Sequence, residues 1–158
     1  PLTYYEYIYD IAKEAHSRGL WNILVSAGYI NPEPLREIVS LIDAANIDLK
    51  AFSEDVYQKQ CGGHLQPVLD TLLTMKKAGV HLEITNLLIP GVNDGESMIR
   101  DMCSWLRDNG FADCPLHFNR FFPQYKMQDS VPTPTKTLFT ARRIAQEEGM
   151  RKIYLGNI

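Results

Sequence analysis

Apolar positions along the chain switch repeatedly between a helical period and short continuous runs. Tyr5, Ile8, Tyr9, Ala12 and Ala15 fall on one stripe, which predicts a helix over residues 2–18 closed by Gly19. Residues 21–26 form an apolar run that reads as a buried strand, leading into the turn Ala27-Gly28-Tyr29. Pro34 opens a second helix with Leu35, Ile38, Leu41 and Ile42 inward, and a strand follows at 45–49. A short helical piece at 53–60 runs into Cys61-Gly62-Gly63, and a longer helix at about 65–78 turns Val68, Leu69, Leu72 and Leu73 to the core. Gly79 ends it, and the strand 80–89 stops at Pro90-Gly91. Asp94 is the expected N-cap of a helix to Asp108 that buries Met98, Ile99, Met102, Trp105 and Leu106. After Gly110 comes a strand at 115–122. Thr133-Pro134 is expected to cap and open the last helix, and Gly149 separates it from a final strand at 153–155.

The resulting order is helix then strand, five times over, with glycines at the helix-to-strand turns. Strands that are apolar throughout, separated by amphipathic helices, predict an α/β protein with a parallel sheet. Five such units fit either part of a (β/α) barrel or an open doubly wound sheet. Neither a Gly-x-Gly-x-x-Gly nor a P-loop is present, so a nucleotide-binding sheet lacks its main signature. The 158 residues read as one domain, and 45% hydrophobic content suffices for a core. A net charge of −3 carries no electrostatic footprint for nucleic acid or an anionic membrane, and no apolar run approaches the roughly 20 residues that span a bilayer. Cys61, Cys103 and Cys114 fit neither a disulfide framework nor a zinc or iron–sulfur spacing; free thiols in a reducing cytoplasm are expected. The chain starts at Pro1 without methionine and stops at Ile158 on an apolar strand, so a piece of a longer protein is expected.

Chemistry in such folds gathers at the C-terminal ends of the strands. Those ends carry Ser26-Ala27-Gly28, Asp48 and Lys50, Thr85 to Ile89, His117, Asn119 and Arg120. Asp48 and Lys50 alternate along one strand and therefore share a face. Lysine suits a carboxylate, and aspartate suits hydroxyls or an ammonium. A structural salt bridge is the competing reading of that pair. Asn86 can equally tie down a loop, His117 can be a satisfied core histidine, and Arg120 can pair with Asp48 or Glu83. Motifs for hydrolysis are missing: no His-Glu-x-x-His, no Gly-x-Ser-x-Gly and no evident carboxylate pair for a metal. A cofactor that brings its own reactivity is the economical inference.

Five segments in order carry a resemblance: Ala45-Asn46-Ile47-Asp48-Leu49-Lys50-Ala51-Phe52, Cys61-Gly62-Gly63, residues 88–94 (LIPGVND), residues 115–123 (PLHFNRFFP) and Tyr154-Leu155-Gly156-Asn157. Together they resemble radical S-adenosylmethionine enzymes, nearest to the AmmeMemoRadiSam-system members often labelled pyruvate formate-lyase activating enzyme. The resemblance covers essentially the whole chain. It implies a fragment of a (β/α)6 radical SAM core, a partial TIM-like barrel, with residues 1–158 as units three to six plus a final strand. It implies S-adenosylmethionine and a 4Fe-4S cluster in the full-length protein, and an oxidoreductase that cleaves the cofactor to a 5′-deoxyadenosyl radical for hydrogen abstraction. Carried over by position, the cofactor contacts are Ser26 and Gly28 on the first turn, Asp48 and Lys50 on the next strand, Leu87 against adenine, and Arg120. Residues 90–94 and 121–129 are expected on the substrate side. None of these is a metal ligand, and the catalytic residues stay unassigned.

The chain departs from the family pattern in two places. It has no Cys-x3-Cys-x2-Cys, so the cluster is expected to be absent from this fragment and the chain alone inactive. Pro1 resembles the end of the family's Glu-Pro turn, which would put the cluster loop before residue 1. Ala27 stands where relatives carry asparagine. Rival readings are a barrel aldolase using Lys50 as a Schiff-base lysine, and a non-catalytic scaffold. The expected partner is a protein substrate, with no nucleic acid and no membrane, and self-association through an exposed barrel edge at residues 22–26.

Overall fold

The structure, a computed structural model, describes residues 2–158; Pro1, and with it the Glu-Pro reading, lies outside the described residues. Five helix–strand units follow one another. They are α1 (Tyr5–Ser17) and β1 (Ile23–Ser26), α2 (Pro32–Ile38) and β2 (Ala44–Asp48), then α3 (Glu54–Val56), α4 (Gln66–Lys77) and β3 (His81–Leu88). α5 (Glu96–Asp108) and β4 (Leu116–Arg120), and α6 (Thr135–Glu147) and β5 (Ile153–Gly156), complete the chain. All strands lie in one sheet in the order β1-β2-β3-β4-β5, and every neighbouring pair is parallel. A doubly wound sheet reverses its strand order at a switch point. This order never reverses, so crossovers of one hand put all the helices on one face. The arrangement is an arc of a (β/α) barrel.

Burial alternates along the strands accordingly. Leu24, Ala45, Ile47, Leu82, Ile84, Leu88, Leu116 and Phe118 are buried toward the helices. They meet Leu35, Ile38, Leu72, Met75, Ile99, Leu106, Leu138 and Ile144 in one continuous core. Each Leu, Ile, Met or Phe among them contributes on the order of 1.5–3 kcal/mol by leaving water. The opposite face is open: Ile23, Val25 and Tyr154 are exposed there, and Asn46, Asp48, Glu83, Thr85, Leu87, His117 and Asn119 are half-buried. β1 and β5 are the sheet's two edges.

Helix starts differ from the sequence expectation in three places. α2 begins at Pro32, not Pro34, because Asn31 already has the extended backbone that precedes a helix and Pro32 fits the first turn. Asp94 does not cap α5; Gly95 holds that position, and Asp94 Oδ1 accepts instead from Gly91 N at 2.8 Å, closing the turn before it. Thr133 does not cap α6 either, since Pro134 precedes the helix. Thr133 is fully buried and clips the loop after β4 to the sheet. Its hydroxyl donates to Leu88 O at 2.5 Å and accepts from Phe121 N at 3.0 Å, while its own N–H donates to Phe121 O at 3.1 Å.

Thr133→Val keeps the shape and removes the hydroxyl, leaving a buried carbonyl and a buried N–H unpaired. Urea denaturation should register a loss of about 1–3 kcal/mol. A variant as stable as the parent would show that the clip is dispensable.

Candidate functional site

The C-terminal end of β2 is the most heavily constructed point of the sheet. Asp48 is paired with Thr85 in the ladder, and Leu49 N still donates to Thr85 O at 3.0 Å. The ladder then stops, and side chains take over. Tyr57 Oη accepts the Lys50 N–H at 3.2 Å. Asn86 Nδ2 donates to Leu49 O at 2.7 Å and to Lys50 O at 3.3 Å. Asn93 Nδ2 donates to Lys50 O at 2.6 Å and to Leu87 O at 2.8 Å, and its Oδ1 accepts from Ile89 N at 2.6 Å. Asn86 and Asn93 are both buried, as their polar groups require when hydrogen-bonded inside. Asn86 Oδ1 alone is left without a partner among the described residues.

From that base Asp48 and Lys50 both project to the open face, as period-two alternation demands. Lys50 Nζ donates to Asp48 Oδ2 at 2.8 Å, with the side chains 40% and 30% exposed. Leu87 lies on the same face, one strand over and two residues beyond the Asp48–Thr85 pair, hence level with Lys50. The β1 turn sits beside them but offers mainly backbone. Ser26 is buried, and its Oγ accepts from Gly28 N at 3.2 Å. Gly28 has φ +67°, and a Cβ there would come within 2.8 Å of Ile47 Cγ2, so only glycine fits this turn. Its carbonyl accepts from Thr71 Oγ1 at 2.7 Å.

Arg120 is not with them. Its register partner is Leu88, a helix-side residue, so parity turns Arg120 away from the face that carries Asp48. Its Nε donates to Thr133 O at 2.8 Å, and its guanidinium lies 4.8 Å from the Phe122 ring centroid. It pairs with neither Asp48 nor Glu83. The residue that takes Glu83 is His117, with Nε2 and Oε2 2.9 Å apart, and the imidazole stacks on Tyr154 at 5.1 Å. His117 is thus a second polar group on the open face, two strands from Asp48 in the same row.

A cavity of about 240 Å³ adjoins Lys50, lined by Ala27, Tyr29, Tyr57, Cys61 and Gly63. Its wall is a short π-helical turn, Tyr57–Cys61, stopped by Gly62 in the left-handed region. Ser53 caps the segment by accepting from Val56 N. Tyr57 is buried, which pushes its phenol up and keeps it neutral. Partial burial raises the Cys61 thiol, with the Lys50 ammonium acting the other way.

The three cysteines lie on separate elements: Cys61 is exposed in the π-turn, Cys103 is buried in α5, and Cys114 precedes β4 with its thiol toward Leu82 O. No group of three or more His, Cys, Asp or Glu side chains among the described residues could hold a metal ion. No helix among them is long and apolar enough to cross a membrane.

Burial pushes the thiols of Cys103 and Cys114 up to about 12, so almost no thiolate forms at pH 8. Ellman's reagent at that pH should therefore label Cys61 first, with the other two reacting only on unfolding. Simultaneous labelling of all three in the folded protein would contradict this packing.

Comparison with known proteins accords with the architecture. A family model described as the radical SAM superfamily matches residues 1–104. The uncharacterized protein MJ0808 of Methanocaldococcus jannaschii is 42% identical over 158 residues, all of this chain and 46% of that protein. The benzylsuccinate synthase activating enzyme of Thauera aromatica is 26% identical over 113 residues, 71% of this chain and 34% of that protein. The chain thus spans less than half the length of these curated relatives. A solved domain of pyruvate-formate lyase-activating enzyme from Bacteroides vulgatus has a TM-score of 0.78 at 22% identity, covering 99% of this chain and 94% of that one. A radical SAM methyltransferase from Sphaerobacter thermophilus has a TM-score of 0.66 at 13% identity, over 87% of this chain and 41% of that one. At these identities the structural likeness is one of fold. The family match, by contrast, extends over 104 of the 158 residues and includes the whole of β1, β2, β3 and the clamp around Lys50: the chain belongs to the radical SAM superfamily.

Proposed function

We propose that this chain forms the cofactor-facing part of a radical SAM enzyme of the glycyl-radical-activating type, with Asp48 and Lys50 receiving the zwitterionic end of S-adenosylmethionine. The observation that carries the reading is the Asp48–Lys50 pair, set on the open face at the strand C-terminal ends above a backbone fixed by three other side chains. An ion pair this exposed is worth only about 0–1 kcal/mol. Opening it costs little, and each partner is then free to meet its counterpart on a ligand. The Lys50 ammonium would take the methionyl carboxylate, and the Asp48 carboxylate the amino group or a ribose hydroxyl. Leu87 would supply an apolar surface level with Lys50. Ser26 and Gly28 would shape the turn through their backbone, because their polar atoms are already engaged. Arg120, turned from this face and held on Thr133 O, is left out of the contact set. The cofactor, when bound and reductively cleaved, supplies a 5′-deoxyadenosyl radical that abstracts hydrogen.

A 4Fe-4S cluster does not fit the cysteines of this chain. Thiolates must converge on one cluster, and these three sit on separate elements, two of them held protonated by burial. We place the cluster's ligands in the part of the protein outside residues 1–158. The activating type is supported by what the benzylsuccinate synthase relative and the pyruvate-formate lyase-activating neighbour are named for; the partner would then be a protein substrate. Free thiols suit a reducing cytoplasm. An aldolase reading is disfavoured, since Lys50 is ion-paired and solvent-accessible, whereas Schiff-base lysines are desolvated.

The test uses the protein from the complete reading frame, reconstituted anaerobically, with 5′-deoxyadenosine formation as the readout. Lys50→Ala should raise the KM for S-adenosylmethionine at least about tenfold, a loss of roughly 1.4 kcal/mol in binding. Asp48→Asn should raise it less. Unchanged KM in Lys50→Ala would remove the pair from the cofactor site.

A further inference from the structure

The segment 90–94, expected on the substrate side, does something different: it reaches back under Lys50. Asn93 is buried, and its amide spans two strands, joining Lys50 O at the end of β2 to Leu87 O near the end of β3. The turn that carries it is closed by Asp94 on Gly91 N and by Val92 N on Ile89 O at 3.1 Å. Two further side chains converge on the same stretch of main chain from other elements, Asn86 from β3 and Tyr57 from the π-turn. Both the N–H and the C=O of Lys50 are therefore held by side chains, in a place where the sheet ladder no longer holds them.

Satisfying buried backbone groups is reason enough for one such bond. Three donors and acceptors from three separate elements, all aimed at the peptide groups flanking one lysine, ask for more. A lysine side chain has four rotatable bonds and a compact charge, so a fold directs its ammonium chiefly by fixing the Cα–Cβ vector at its root. Holding that root within a narrow range is what an outer layer of hydrogen bonds does for a binding group.

We propose that Tyr57, Asn86 and Asn93 are positioning residues for Lys50: they fix its main chain so that its ammonium meets the cofactor's carboxylate, and they act on that ligand only through Lys50. The proposal rests on the reading of Lys50 as a carboxylate-binding residue. It also assigns residues 90–94 to the cofactor side of the site. Tyr57 carries a second role, because its ring walls the cavity beside Lys50 while its oxygen holds the Lys50 N–H.

The experiment uses the complete, anaerobically reconstituted protein with S-adenosylmethionine as probe, reading KM, kcat for 5′-deoxyadenosine formation, and Tm. Tyr57→Phe is the surgical variant, since it deletes one acceptor and keeps the ring; Asn93→Ala removes more and serves as the second. Each should raise KM by about tenfold, the low end of what losing an outer-layer partner of a metal ligand costs. Leu106→Ala, in the core of the helical layer, should lower Tm by a comparable or larger amount and leave KM within about twofold. In a Lys50→Ala background, Tyr57→Phe should have no further effect on KM, because the group through which it acts is gone. An additive effect in that background, or unchanged KM in both variants while Lys50→Ala alone raises it, overturns the positioning role and leaves the cofactor reading intact. Unchanged KM in Lys50→Ala overturns both.

Discussion

Where the β2 ladder ends, the carbonyls of Leu49 and Lys50 and the N–H of Lys50 still need partners. A parallel sheet satisfies its interior peptide groups by pairing, but the last residues of each strand run out of neighbours just where functional side chains are wanted. Here the deficit is met by Asn86, Asn93 and Tyr57. Their cost is two buried amides, one with an oxygen left unpartnered. What they secure is a lysine that stands at the strand end with a fixed root and a loosely paired head. Rigidity in the backbone and freedom in the side chain are the combination that a ligand-binding cation needs.

The same period-two logic explains why much of this was legible in the sequence and where legibility stopped. Helix-to-strand glycines and short strand-like runs located all five strands within a residue or two, although burial alternates along them, the helix-facing side buried and the other open, where the sequence pattern predicts strands apolar throughout. The shared face of Asp48 and Lys50 followed from their spacing alone. Arg120 looked equivalent, lying at a strand end, but its facing depends on register with β3. The Leu88–Arg120 pairing that turns it toward the helices cannot be read from one strand. Asn93 and Thr133 went unrecognised for a related reason. Both lie in loops, where side-chain direction has no period; from sequence Thr133 reads as a helix cap, and Asn93 only as part of a segment on the substrate side. Asp94 illustrates the converse error: an aspartate before a helix is a common cap, yet the adjacent Gly91 N–H claimed it.

The open face is polar in a graded way. Asp48 and Lys50 form one pole, and Glu83, His117 and Tyr154 the other, with Thr85 between them in the row. The helix-facing side of the same strands is apolar almost throughout, so one set of strands separates a dry core from a face suited to polar ligands. Membership of the radical SAM superfamily gives that face a chemical context, and the three cysteines, on separate elements, do not converge on it.

The most direct measurement is a structure of the complete protein with S-adenosylmethionine bound. The account predicts the methionyl carboxylate on the open face, within about 4 Å of Lys50 Nζ, with the Asn93 amide still on the Lys50 carbonyl. A cofactor seated away from β2, with the Asp48–Lys50 pair intact and untouched, would contradict it.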